Sequence, residues 1–249
     1  MAGSEAVIEI RQLFTLAEYT DVLRLQEEIW GFPDADLLPI RFLVVVTKVG
    51  GHVFGAFDDN RMIGFCFAIP GVKPGGRPYL HSHMLGVLPD YHNLGIGRRL
   101  KLRQREDALA RGIEVIEWTF DPLELKNAFF NIERLGAIVR RYSLNQYGIT
   151  ASPLHGGLPT DRCIAEWWIN SPRVRSALAA QASPRERHAE ECIAYPANIA
   201  GIRAQDPARA REIQAANAEK FEAAFSRGLA VTGFDRRDAE GVYLLEPWQ

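Results

Sequence analysis

The chain has 249 residues, 47% of them hydrophobic, and a formal net charge of −2. That length and apolar content can bury a sizeable core in one large domain or two small ones. The near-neutral balance supplies no whole-protein field for nucleic acid or an anionic membrane. Three cysteines, Cys66, Cys163 and Cys192, are few and far apart, so no disulfide framework or zinc knuckle is implied and a reducing compartment fits best.

Residues 1–11, with Glu5, Glu9 and Arg11, do not read as a signal-peptide core, and no apolar run reaches the length of a membrane span. The expectation is a cytoplasmic protein without a membrane partner. Val7–Leu13 reads as a short strand. Thr15 then stands in N-cap position, with Glu18 completing a capping box, for an amphipathic helix that runs to Trp30 and stops at Gly31. Arg41–Val46 is an apolar piece whose type the pattern leaves open. Gly51–Phe57, the turn Asp58-Asp59-Asn60 and Met62–Ile69 form a β-hairpin. Pro70–Pro78 reads as a loop before a strand over Tyr79–Leu88.

Next comes His92-Asn93-Leu94-Gly95-Ile96-Gly97, opening a strongly basic helix over Arg98–Arg111. Ile113–Phe120 reads as a buried strand, Leu123–Leu135 as a helix ended by Gly136, and Ala137–Tyr147 as another strand. A loop, Gly148–Pro159, leads to a strand-like aromatic segment, Cys163–Ile169. Beyond Ser171 the chain turns rich in Ala, Arg and Glu through Arg173–Glu191, with Pro172, Pro184, Pro196 and Pro207 as punctuation. Asp206–Ser226 reads as a helix, and Leu229–Phe234 with Val242–Glu246 as a terminal hairpin. There is no internal repeat. The order β, α, hairpin, β, α, β, α, β, β predicts a mixed sheet flanked by helices.

The glycine-bearing turn is the most informative stretch. A turn that feeds a helix N-terminus converges backbone N–H groups and a positive dipole end, which is how proteins hold phosphate. A P-loop would need Gly-Lys-Ser/Thr, but Gly97 is followed by Arg98 and Arg99. A dinucleotide fingerprint would need a third glycine where Leu100 stands, on the first strand of the fold.

Val87-Leu88-Pro89, Asp90-Tyr91 and His92 through Gly97 match in every spacing the signature of the GNAT acyltransferases, a strand ending Val-x-Pro, two residues, then Gln/Arg-x-x-Gly-x-Gly/Ala. The one departure is His92 in place of Gln or Arg. The resemblance covers roughly residues 7–169. Within that family the chain resembles a subset of bacterial acetyltransferases through Trp118-Thr119-Phe120-Asp121-Pro122-Leu123, Asn127-Ala128, Leu158-Pro159-Thr160-Asp161-Arg162 and Glu166-Trp167-Trp168. Some relatives are thought to transfer acyl groups, succinyl included, to amino acids. The implied fold is an α/β (α+β) GNAT fold over residues 7–170, a mostly antiparallel central sheet flanked by helices, with a C-terminal α/β extension over 171–249.

The resemblance implies a site. N–H groups from Asn93, Leu94, Gly95, Ile96, Gly97 and Arg98 would hold the pyrophosphate of acetyl-CoA or another acyl-CoA, with Arg98, Arg99 or Lys101 neutralising the remaining charge. Leu85, Gly86 and Val87 would lie beside pantetheine, one N–H facing the thioester carbonyl as oxyanion partner. Gly86 also suits a bulged strand that a ligand approaches closely.

Acyl transfer to an amine needs a base for the ammonium and an acid for the departing thiolate. The family's base is frequently a Glu on the strand before the motif. Here that strand offers His81 and His83, two apart and therefore on one face, as alternatives to core or wall histidines. The family's acid is often a Tyr four residues before the helix-ending glycine, but counting back from Gly136 gives Ile132. Tyr142 and Tyr147 are replacements, or the thiolate leaves unassisted or takes a proton from water. Asn127 and Asn131, one helical turn apart, could reach pantetheine or the sulfur.

For the acceptor, Arg162 is a bidentate partner for a carboxylate, unless an acid such as Asp161 or Glu166 claims it, and Trp30 lies where GNAT enzymes admit acceptors. Trp167 and Trp168 must face opposite sides, and Cys66 reads as a small buried residue. No metal is implied, since His81-x-His83 has no further ligand at suitable spacing. The expected partner is a small-molecule amine or amino acid, not nucleic acid, and a homodimer is left open. The rivals are a non-catalytic acyl-CoA-binding or regulatory module and a protein N-acetyltransferase.

Overall fold

A computed structural model describes residues 8–34, 36–148, 156–179 and 189–248. Val7, seven residues of the loop after Gly148, and part of the Ala/Arg/Glu-rich stretch lie outside the described residues. The chain divides into two compact units, Met1–Ile116 and Glu117–Gln249.

The first unit runs β1 (Glu9–Gln12), α1 (Leu16–Trp30), α2 (Ile40–Lys48), β2 (His52–Asp58), β3 (Arg61–Val72), β4 (Pro78–Val87), a 3-10 turn (Pro89–Tyr91) and α3 (Ile96–Ala110). Its strands lie in the order β1-β2-β3-β4, each pair antiparallel. The expected capping box is present. Thr15 takes the Glu18 N–H, Glu18 takes the Thr15 N–H, and Gly31 closes the helix in the left-handed region at φ 61. Arg41–Val46, left open by pattern, is the body of α2, whose Leu43 and Val46 enter the core while Val45, and Val49 just past the helix, stay exposed. The segment expected as a loop from Pro70 is still strand. Pro70 pairs with Leu80, and only residues 73–77 turn, closed by Lys73 N–H to Arg77 O at 2.8 Å and by Gly75 and Gly76 at positive φ. Leu13, Val22, Leu25, Leu43, Phe54, Phe65, Phe67 and Leu100 fill the core.

β5 (Val115–Phe120) spans the boundary. The second unit continues with α4 (Leu125–Phe129), which widens into a π turn (Phe130–Arg134), then β6 (Ile138–Ser143) and β7 (Arg162–Trp168). It ends with α5 (Pro172–Ala179), β8 (Glu191–Pro196), α6 (Ile199–Gln205), α7 (Pro207–Ser226), β9 (Leu229–Arg236) and β10 (Glu240–Pro247). The strand order is β5-β7-β6-β9-β10-β8, so the C-terminal strands join β6 through the pair Val139↔Val231. The architecture is mixed α/β with mostly antiparallel pairing and flanking helices.

Gly136, at φ 76, ends the widened helix, and a Cβ there would lie 2.9 Å from Ala177 Cβ on α5. The strand expected to reach Tyr147 stops at Ser143 because the next N–H groups are taken by side chains. Asn145 donates to Asp161 and Tyr147 to Thr160, at 2.8 and 2.9 Å. Trp167, Tyr195, Phe221, Phe234 and Tyr243 are fully buried here, and Trp167 donates to Leu135 O at 2.7 Å. β8 was not expected, because its single apolar run, Cys192 to Tyr195, is short and sits in a polar context.

Burial opposes ionisation of Glu18, yet N–H bonds from Phe14 and Thr15 and the Arg11 guanidinium outweigh it and pull the carboxyl down to about 2. Its ionised form therefore stabilises the fold above about pH 4.5, and that contribution disappears as pH falls towards 2. Glu18→Gln should be less stable than the parent in urea unfolding at pH 6, and the difference should close by pH 2.

Candidate active site

The chain leaves β4 through a tightly held turn. Leu88 N–H bonds to Ile63 O and Tyr91 N–H to Leu88 O, each at 2.9 Å, and the Tyr91 hydroxyl donates to Asp58 at 2.6 Å. His92, the one departure from the motif, sets its Nε2 2.9 Å from Val87 O, so the imidazole ties the turn back to the end of β4. Asn93 (φ 65) and Gly95 (φ 76) are left-handed, and no side chain caps α3. The helix's first backbone bond runs from Arg99 N–H to Gly95 O at 3.0 Å, which leaves the N–H groups of Ile96 and Gly97 without an intrahelical acceptor. Asn93, Leu94 and Gly95 are exposed, so the end of the helix is open to an anion. Arg99 is partly committed, since its guanidinium donates to Ile8 O.

Beside this turn, Leu85, Gly86 and Val87 pair with Cys66, Phe65 and Gly64 of β3. A Cβ at Gly97 would stand 3.5 Å from the Leu85 side chain, which places the start of α3 against this part of β4. Gly86 is not at a bulge. The irregularity falls one turn earlier in the strand, between Phe67↔Met84 and Ala68↔Ser82, which makes His83 the extra residue. What requires glycine at 86 is α1. A Cβ there would meet Ile29 Cδ1 and the Trp30 ring at 2.8 Å. Trp30 stacks on Phe32 and stands edge-on to Phe65, so it packs beside the β4 segment.

His81 and His83 come together with ring centres 5.9 Å apart, and His83 lies 5.5 Å from Phe67. Burial, then the His83, Lys101 and Lys73 charges, push His81 down to about 4. Burial also lowers His83, although the residue keeps solvent exposure. Both are therefore neutral, and able to accept a proton, at physiological pH.

Lys101, grouped by sequence with the phosphate partners, turns the other way. It is 4% exposed, donates to Ser82 Oγ at 2.8 Å, and is pushed by burial down to about 7. The basic helix thus has a buried face, Ile96, Leu100, Lys101, Gln104 and Ala108. Their spacing of three and four was visible in the sequence, but the polar pair at 101 and 104 disguised it. On the same side His52, buried, sets Nδ1 2.8 Å from Asp107.

The remaining expected residues lie in the second unit. Asn127 is exposed on α4, and Asn131 is buried in the π turn. Tyr142 donates its hydroxyl to Asp161 at 3.1 Å and stacks on Phe221 at 5.3 Å. Burial, with Tyr195, Cys163 and Asp161 nearby, raises its phenol. Arg162 is 9% exposed, donates to Asp161 O at 2.9 Å and lies over the Tyr147 ring. Glu166 instead takes Arg140 and Arg141. Among the described residues no cluster of three or more His, Cys, Asp or Glu is placed to hold a metal, and no helix is long and apolar enough to cross a membrane.

Residues 13–136 match the acetyltransferase (GNAT) family. Among curated proteins none matches the chain. In structure it is similar to NAA60 of Arabidopsis thaliana in complex with a bisubstrate analogue, at TM-score 0.54 and 15% identity over 66% of this chain and 99% of that one. It is also similar to the ribosomal-protein-S18-alanine N-acetyltransferase of Escherichia coli, at TM-score 0.52 and 18% identity over 66% and 96% of the two chains. A GNAT-family acetyltransferase of Streptococcus pneumoniae gives TM-score 0.52 and 14% identity over 64% and 98%. These likenesses concern the fold.

Gly86→Ala should cost about 1–3 kcal/mol in urea unfolding, because the added methyl must displace Ile29 and Trp30. Adding Trp30→Leu should recover part of that loss, and a double-mutant cycle with no coupling would contradict the contact.

Proposed function

The chain belongs to the GNAT acetyltransferase family through residues 13–136 and is an N-acetyltransferase; on that premise we propose that it moves an acetyl or related acyl group, succinyl included, from coenzyme A to the amine of a small molecule such as an amino acid. The observation that carries this reading is the bare N-terminus of α3, set against the same strand that bears His81 and His83.

In this reading the N–H groups from Asn93 to Arg98, with Arg98 and the helix dipole, bind the pyrophosphate of the acyl-CoA substrate. Gly95 suits that role, having no Cβ and a left-handed backbone that favours glycine. Leu85, Gly86 and Val87 lie along the pantetheine arm, and one of their N–H groups stabilises the oxyanion that forms as the amine attacks the thioester carbonyl. Asn127 and Asn131 are assigned to the coenzyme as polar partners.

His81 or His83 takes the proton from the acceptor ammonium, freeing its lone pair, and passes it to solvent. The C–S bond then breaks, the attacking nitrogen gives up its second proton to water, and the departing coenzyme A thiolate takes a proton from water, leaving the neutral amide and the free thiol. Tyr142 is not needed as the acid, since its hydroxyl is already given to Asp161 and its raised phenol releases a proton poorly. Trp30 walls the acceptor side, and Arg162 is assigned to a carboxylate on the acceptor.

Thiol release from acetyl-CoA and succinyl-CoA against a panel of L- and D-amino acids and simple amines tests the reading. Release with an amino-acid class names the acceptor type, whereas silence across the panel with coenzyme A still bound overturns a small-molecule acceptor. His81→Gln with His83→Gln should lower kcat by about 10²-fold or more, most severely at low pH where unprotonated amine is scarce. An unchanged pH profile would dismiss both as bases. Arg162→Ala should raise KM for carboxylate-bearing acceptors and spare neutral amines, and equal losses would remove it from recognition. Tyr142→Phe should keep kcat within about twofold while losing about 1 kcal/mol of stability in urea unfolding.

A further inference from the structure

On the α3 side of β4 lies a buried polar group that the reaction above does not use. The Lys101 ammonium donates to Ser82 Oγ at 2.8 Å, and the Ser82 hydroxyl donates to Gln104 Oε1 at 3.0 Å. All three residues are buried. Ser82 stands between His81 and His83 in β4, and the two histidine rings meet on the opposite face, His83 against Phe67. A cation in the core is therefore held across β4 from the half-buried His81 imidazole, where water screens it little.

We propose that Lys101 is a positioning residue for the reaction, its ammonium held by Ser82 so that His81, of the two histidines assigned as the base, stays neutral and ready to accept the acceptor's proton. The inference rests on the assignment of those histidines as the base. Lys101 faces Ser82 of β4, Gln104 of its own helix, and Cys66 of β3, whose thiol burial pushes up to about 12 and so keeps neutral. His52 of β2 lies close enough to feel the same charge, and is itself bound to Asp107, which also pairs with Arg111. His81 feels His83, Lys101 and Lys73.

The order of titration fits the role. Lys101 gives up its proton near 7 and His81 near 4, so the ammonium is charged throughout the range in which the histidine would take up a proton. Leu at position 101 would complete an ordinary apolar helix face. A lysine there, with a serine and a glutamine to hold it, puts a charge where packing alone does not call for one.

The test is histidine and lysine titration by carbon- and nitrogen-resolved NMR in the full chain, with the pH profile of kcat/KM beside it. In folded Lys101→Met and Lys101→Gln, the His81 titration should move up by about one pH unit while that of His83 stays close to the parent's, and the acid limb of kcat/KM should move with His81. An unmoved His81 titration in a folded variant would overturn the proposal, because a purely structural lysine would leave it so. The parent chain supplies a measurement that does not depend on the variants folding. If the Lys101 ammonium loses its proton at a lower pH than His81 gains its own, the proposal fails. A His81 titration that moves while the acid limb stays put would uphold the electrostatic coupling and overturn His81 as the base.

Discussion

An uncapped helix end is a cost that most folds cover with a side chain, and much of the first unit is arranged around leaving one open. The N–H groups at the start of α3 have no acceptor within the helix, so the helix must be held from elsewhere. Its buried face supplies that hold, through Leu100 in the core and the Lys101–Ser82–Gln104 chain to β4. The turn before it is fastened independently by Leu88, Tyr91 and His92. Binding geometry and fold stability are thus separated: the residues that hold α3 are not the N–H groups it presents.

The same strand carries the opposite face of the site. β4 gives Ser82 to the helix and His81 and His83 to the other side, and the bulge at His83 interrupts strict alternation where the two rings meet. α1 closes over the next stretch, with Trp30 lying where Gly86 offers no side chain. One strand therefore connects the open helix end, the two imidazoles and the indole wall without a loop between them.

Much of this was legible in the sequence, where local chemistry decides structure. Thr15, Glu18 and Gly31 specify α1 by hydrogen bonds within a few residues, and the Val87–Gly97 spacing specifies the turn. Reading failed where distant partners decide. Arg98–Arg111 reads as a strongly basic helix with Lys101 among the phosphate partners, yet β4 supplies Ser82 to bury Lys101 and Gln104. The end of β6 depends on Asp161 and Thr160, more than a dozen residues away along the chain. Gly86 was read as making room for a ligand, whereas the group that occupies its space is the chain's own indole. The residues assigned to the second unit, Asn127, Asn131, Tyr142 and Arg162, were readable as residue types, but the hydrogen bonds that occupy Tyr142 and Arg162 were not.

The fastening of the turn has a thermodynamic consequence. The Tyr91 hydroxyl on Asp58 and the Leu88 N–H on Ile63 O fix the segment to both strands of the β2–β3 hairpin, so its conformational entropy is surrendered when the chain folds, not when a phosphate arrives. An anion that docks there meets a surface already ordered, and its binding energy is not spent on arranging loops. By mass action a ligand bound there would stabilise the hairpin and helix that frame it, so occupancy and resistance to unfolding would rise together.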